Sequence, residues 1–290
     1  MIDLAARICG RCAGFERAVI PLVLVATWPF RARALPEKPP ERKAKYSYWD
    51  QGEARPFVSG RVEAGLYLKP QFAVGYGKPY WWSATAEAYA ITTTSFGAGY
   101  AGIRGALPFL DWRVGARYTS SYYRSFLPVK EHYTVDDVNH PEGPLARYLS
   151  LETELGAVLP LFTGYLFPVV TVYRIVDTPE GAYVFDESLR GVLKPPWIMG
   201  FRLGFVKGFG NDDFLKVGFL SELVVLPGRN DNIVRFGPAA HVTLTDHLDA
   251  QGAITFVVAS PDSLGIWNGP FGVLGFVYRW ATGDEHPSFP

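Results

Sequence analysis

Two cysteines, two methionines and five histidines in 290 residues leave little room for thiol, thioether or imidazole chemistry. Cys9 and Cys12 have the spacing of half a zinc site, but no second Cys or His pair completes four ligands, so no metal is expected there. With two methionines, a Met-rich adaptable groove is excluded. Charge is scarce as well: 19% of residues are Asp, Glu, Lys or Arg, below the roughly 25% usual in soluble domains. The 28 basic residues balance 28 acidic ones, which excludes a strongly basic nucleic-acid binder. No apolar run approaches the roughly 20 residues that a helix needs to span a bilayer. What remains is abundant: 48% hydrophobic and 15% aromatic residues, too apolar for a disordered chain, and 30 Gly with 23 Pro to supply turns.

The N-terminal segment has an order of its own. Arg7, Arg11 and Arg17 precede an apolar run from Ala18 to Phe30, and Ala32-Arg33-Ala34 follows as a small-x-small cleavage site. Basic, apolar, cleavage site is the order of a secretory signal peptide. Residues 1–34 are therefore expected to be removed, leaving a mature chain that begins at Leu35, has no cysteine and carries a net charge of −3. Residues 35–56 are Pro-rich and charged and read as a solvated linker.

From 57 to 290 the texture is segmental. Stretches of ten to fourteen residues alternate apolar and polar side chains, the period-two signal of half-buried strands. Twelve are expected, near 57–68, 82–93, 96–107, 111–123, 147–159, 164–175, 183–194, 197–208, 213–226, 232–245, 248–259 and 271–280. Turn chemistry separates them, as at Gly210-Asn211-Asp212, Pro227-Gly228-Arg229-Asn230 and Pro261-Asp262-Ser263. No stretch after the signal keeps a helical period, so the chain is all-β and antiparallel.

The faces of these segments differ in kind. In 213–226 one face carries Leu215, Val217, Phe219, Leu223 and Val225; the other carries Lys216, Gly218 and Glu222. In 147–159, Leu149, Leu151, Leu155 and Leu159 oppose Ser150, Glu152, Glu154 and Gly156. A soluble sandwich could pair such apolar faces, but three features favour apolar faces turned outward. The segments are longer than the usual 5–6 residues of globular strands. The polar faces are rich in Gly, Ala, Ser and Thr. Aromatics gather at strand ends, at Trp81, Trp82, Tyr122, Tyr123, Trp197 and Trp280, where membrane interfaces place them. In the final strand Phe276, Tyr278 and Trp280 alternate on one face.

On these residues the stretch 57–280 resembles the bacterial outer-membrane β-barrels as a class. The resemblance implies an up-and-down transmembrane β-barrel of about 12 strands in the outer membrane, with membrane lipid and the barrel assembly machinery as partners and residues 35–56 in the periplasm. Twelve strands at about 40° tilt imply a backbone diameter of roughly 24 Å. With both termini periplasmic, the twelve segments put the long connection 124–146 on the periplasmic side.

Candidate chemistry is sparse. Gly97-x-Gly99-x-x-Gly102 matches a dinucleotide fingerprint, but no helix can open behind it before Pro108, so small residues easing strand approach are the better account. His247 and Ser260 or Ser263 could suggest a lipid hydrolase, yet a full strand separates them by roughly 40 Å. Glu131, His132, Asp136, Asp137, His140 and Glu142 read as a solvated loop rather than a divalent-ion site. No catalytic residue, cofactor or metal site is assigned. The candidate site is the polar inner face: Glu63, Glu87, Arg104, Arg113, Arg117, Glu152, Glu154, Arg190, Arg202, Lys216, Glu222, Arg235, His241 and Gln251. Pairing by equal offsets sets Glu222 beside Arg235, Lys216 beside His241, His241 beside Gln251, and Arg104 beside Arg113. Arginine and carboxylate walls facing water give a transverse field that orients small polar or anionic solutes, the expectation for a narrow porin-like channel. The alternatives are a structural or adhesion barrel with a charge-plugged lumen, and a lipid-acting enzyme.

Overall fold

The computed structural model describes residues 49, 53–139, 142–161, 163–210, 214–265 and 274–283. The expected signal peptide and most of the expected linker lie outside them. Twelve antiparallel staves close into a barrel. They are β1 (Arg55–Gly65), β2 (Leu68–Lys78), β3 (Trp82–Thr92), β4 (Phe96–Leu107), β5 (Leu110–Ser125) and β6 (Leu145–Ala157), then β8 (Gly164–Ile175), β11 (Trp197–Phe209), β12 (Leu215–Leu226), β13 (Asp231–Thr243), β14 (Leu248–Ala253) and β16 (Leu274–Ala281). The sheet closes where β1 pairs with β16, and sequence-distant β8 pairs with β11. Two short strands extend staves: β7 (Leu159–Leu161) pairs with β8, and β15 (Phe256–Ala259) pairs with β13. A five-residue helix, α1 (Val135–Asn139), lies in the connection after β5.

Closure follows from the alternation. Each stave has an apolar face that needs a dry or lipidic neighbour, and a closed sheet leaves no edge with unpaired backbone groups. Along β2, Leu68, Phe72, Val74 and Tyr76 are exposed, whereas Ala73 is buried between them. The same holds for Val217 and Phe219 on β12 and Phe276 on β16. Across adjacent staves Phe205, Phe219 and Phe236 stack in a row on the outside, with centroids 5.7 and 5.5 Å apart.

Two expectations about segments are corrected. Residues 183–194 are no stave: β9 (Val184–Asp186) and β10 (Gly191–Leu193) form a separate two-stranded hairpin. Residues 68–78, not expected as a full segment, form an eleven-residue stave paired along its length with β1. The two errors cancel in the count but not in the topology. With 68–78 included, five staves precede 124–146, so this connection lies at the end opposite the entry of β1, contrary to expectation. The described ends of the connections β5–β6, β8–β11 and β15–β16 therefore share one end, called the loop end; β1 enters and β16 leaves at the other.

The barrel interior as candidate functional site

The inner face toward the terminal end is a ladder of ion pairs set by register. Arg104 stands directly opposite Arg113, and two adjacent guanidiniums would repel. Each turns to a carboxylate instead: Arg104 to Asp111 at 2.6 Å, Arg113 to Glu154 at 3.1 Å. Arg117 meets Glu152 at 2.7 Å. On the facing wall Glu222 bridges Arg202 (3.1 Å) and Arg235 (2.6 Å), its partners on the two flanking staves. Glu63 pairs with Arg61 at 2.8 Å and Lys69 at 3.5 Å and accepts a hydrogen bond from the Tyr67 hydroxyl. Glu87 accepts from Gln71 Nε2 at 2.8 Å. Lys216, His241 and Gln251 lie side by side in register; His241 is 3.6 Å from Asp249, which Arg279 also holds at 2.5 Å. Among the described residues Lys216 makes no ion pair. Arg190 stands apart: it lies on no stave but in the β9–β10 turn, with φ 48°, so its expected place on a wall is corrected.

Aromatic rings fill the space between the charges. Tyr89 and Tyr100 stack at 4.6 Å, with Lys69 over Tyr89 at 4.6 Å and Arg113 over Tyr100 at 5.9 Å. The Tyr100 ring lies across two glycines. A Cβ at Gly102 would stand 2.4 Å from its hydroxyl, and one at Gly115 would stand 2.6 Å from the ring. That accounts for Gly102 in the fingerprint-like run, which sits wholly inside β4. A cavity of about 30 Å³ lies between Arg61, Gln71, Tyr80, Glu87 and Arg104, small enough for water only. Trp49 packs edge-on against Tyr80 and His247 at the terminal end.

Toward the loop end the inner face turns apolar and the β9–β10 hairpin fills it. Val184 and Leu193, both 0% exposed, pack with the inward Tyr148, Ile175, Ile198, Val224, Leu226 and Ile233 of five different staves. The wall holds the hairpin turn by its acids and carbonyls. Asp186 accepts from the Tyr148 hydroxyl at 2.7 Å and lies 3.5 Å from Arg117. Glu187 pairs with Arg124, Ser188 accepts from Arg117 at 2.8 Å, and Arg235 donates to the carbonyls of Leu189 and Arg190 at 2.6 and 2.9 Å. Asp186 also caps its own turn, accepting from the amides of Ser188 and Leu189.

A second layer covers the hairpin. Leu127, Tyr133, Val138 and Leu264 bury the other side of Tyr183, Phe185 and Val192. Arg229 ties this layer down with both guanidinium nitrogens on Asp262, at 2.6 and 2.7 Å, and a bond to the Val192 carbonyl. Burial pushes the Tyr133 phenol up to about 12. Hydrogen bonds from Lys130 and then Thr134 hold the Asp137 carboxyl down to about 2.

Reasoning from sequence missed the acids that hold the hairpin, Asp186 and Glu187, and the partners Asp111, Arg61 and Arg279. A signal for the first two was present: Asp186-Glu187-Ser188 interrupts period-two alternation in the middle of 183–194, where a turn and not a stave belongs. Of the remaining candidate chemistry, His247 bonds the Arg279 carbonyl at the terminal end while Ser263 contacts Tyr133 at the loop end. His132 contacts the Pro261 carbonyl and Asp137 pairs with Lys130; His140 lies outside the described residues. No protein-family model and no curated protein matches the chain. Among solved structures, a porin refined at 1.8 Å aligns over 79% of this chain and 100% of its own, at 8% identity and a TM-score of 0.30.

Proposed function

We propose that this chain is a channel-type barrel of the outer membrane, held shut in the conformation described here by its own inner hairpin. The observation that carries the reading is the inversion of the sheet: its outer face is apolar and exposed, and its inner face is charged. Phe72, Ile103, Val114, Leu151, Phe219 and Phe276 would face lipid. The inner charges pair across staves, an arrangement that suits a water-bearing bore and not a protein core. Small polar solutes, anions among them, fit a bore lined by these groups. With the hairpin seated, the loop-end half is packed with side chains and leaves no path for them. Insertion would place the barrel in the outer membrane through the barrel assembly machinery.

Conductance across a planar bilayer tests this. Refolded wild-type protein is expected to conduct little, in brief openings. Leu193→Asp puts an unpartnered carboxylate into the apolar cluster, which strongly disfavours the seated hairpin. This variant is expected to conduct in steps well above wild type. If it inserts and stays silent, the channel reading fails and the ion-pair ladder supports the structural barrel instead.

A further inference from the structure

The outer face of the barrel has a one-sided charge pattern. No carboxylate of the described staves has the outward parity; Glu63, Glu87, Asp111, Glu152, Glu154, Glu222, Asp231 and Asp249 all share the inner one. Arginines do point outward. Arg147 alternates with the buried Ala146 and Tyr148 on β6, and Arg174 with Tyr173 and the buried Ile175 on β8. Both are exposed, both lie toward the loop end, and their staves are neighbours. Among the described residues neither forms an ion pair. Arg174 is in register with outward Leu151 on one side and Trp197 on the other, and its guanidinium lies 5.4 Å from the Trp197 ring. Arg147 is in register with Ser120, between the exposed Tyr118 and Tyr122 of β5.

A guanidinium at the edge of an apolar band favours an anion at that depth, because lipid tails cannot solvate it and, among the described residues, no ion pair supplies a carboxylate. Aromatic rings beside it mark the same depth as the membrane interface, where phosphates of lipid headgroups lie. Guanidinium offers several fixed donors that match phosphate oxygens. We propose that Arg147 and Arg174, framed by Tyr118, Tyr122 and Trp197, form a binding patch on the outer wall for an anionic phospholipid of the loop-end leaflet, one whose phosphate is not neutralised by a cation of its own headgroup. The proposal rests on the membrane reading above. One outward position, Leu149, separates Arg147 from the level of Arg174 on β6, so the patch suits a lipid with two phosphates or two lipids side by side.

Native mass spectrometry of the full chain, taken from vesicles of phosphatidylcholine with a minor share of phosphatidic acid, tests it. Wild type is expected to retain phosphatidic acid in preference to phosphatidylcholine. Arg147→Gln and Arg174→Gln should each lower that preference by about fivefold. Lys130→Gln, on an exposed loop, should leave it unchanged. Inorganic phosphate added to barrel in pure phosphatidylcholine should not displace later-added phosphatidic acid; if it does, free phosphate and not lipid is the ligand. Equal retention of the two lipids by an inserted barrel, or an equal loss with Lys130→Gln, would overturn the patch. A wild-type chain that inserts in neither vesicle, its staves open to added protease, would overturn the membrane reading instead.

Discussion

At the scale of single residues, the two faces of β12 set up opposite failures. Phe219 sits on the outer wall between Phe205 and Phe236. Arginine there, near mid-membrane, should destabilise the barrel by about 2–4 kcal/mol, because a charge replaces a ring that faces hydrocarbon. Equilibrium urea unfolding from vesicles would measure it, and a loss below 1 kcal/mol, roughly the cost near the interface, would move Phe219 out of the bilayer's middle. The neighbouring Gly218 has the inward parity of Lys216 and Glu222. A Cβ there would stand 1.7 Å from the Phe205 carbonyl oxygen, so even alanine must move the β11 backbone. Gly218→Ala should therefore lower stability without any change of charge, and it should do so in detergent as much as in lipid. Sensitivity to the surrounding lipid is the expected signature of Phe219 alone.

Single elements show how far local pattern reaches. The inward pairs Glu222–Arg235, Lys216–His241, His241–Gln251 and Arg104–Arg113 were legible, because tight turns make register a matter of equal offsets. Stave 68–78 is equally regular, Leu68, Pro70, Phe72, Val74 and Tyr76 all outward, but Pro70 and two glycines leave only Gln71–Gly77 legible, as a short extra strand at most. Stretch 183–194 erred the other way. Its apolar ends look like a strand, yet they face the other staves from inside, and only tertiary packing shows that. The loop after β5 gives a test at this scale. Asp137 binds Lys130 at 2.5 Å and accepts from the Thr134 amide at 2.8 Å, anchoring α1. Its folded value of about 2 lies below the ordinary aspartate value near 4. The anchoring is thus fully present above about pH 4 and fades as pH falls toward 2. Pepsin digestion over that range should cut near 130–139 faster at the acid end. Asp137→Asn, cut in parallel to cancel pepsin's own pH dependence, should lack that extra rise; a ratio of wild-type to variant rates flat with pH would remove Asp137 from the anchor.

For the whole molecule, closure and selectivity are one electrostatic problem. With the hairpin seated, Asp186 and Glu187 supply carboxylates to Arg117 and Arg124 of the wall. If the hairpin leaves, Arg117 keeps Glu152 and Arg235 keeps Glu222, but Arg124 loses Glu187, and Arg235 loses the Leu189 and Arg190 carbonyls. Lys216 already lacks a described ion pair. The hairpin carries Asp186 and Glu187 against Arg190, so its withdrawal, which also removes two carbonyl acceptors, leaves the bore more positive by one charge than the seated state. The open channel should prefer anions, and the preference should be strongest at low salt, where the screening length is long. In the Leu193→Asp background, reversal potentials across a salt gradient should report anion selectivity. Arg124→Ala in that background should reduce it, while Arg104→Ala should change it less, since Asp111 stays beside Arg104 whether or not the hairpin is seated. Equal effects of the two substitutions would mean that the wall, and not the departure of the hairpin, sets the field.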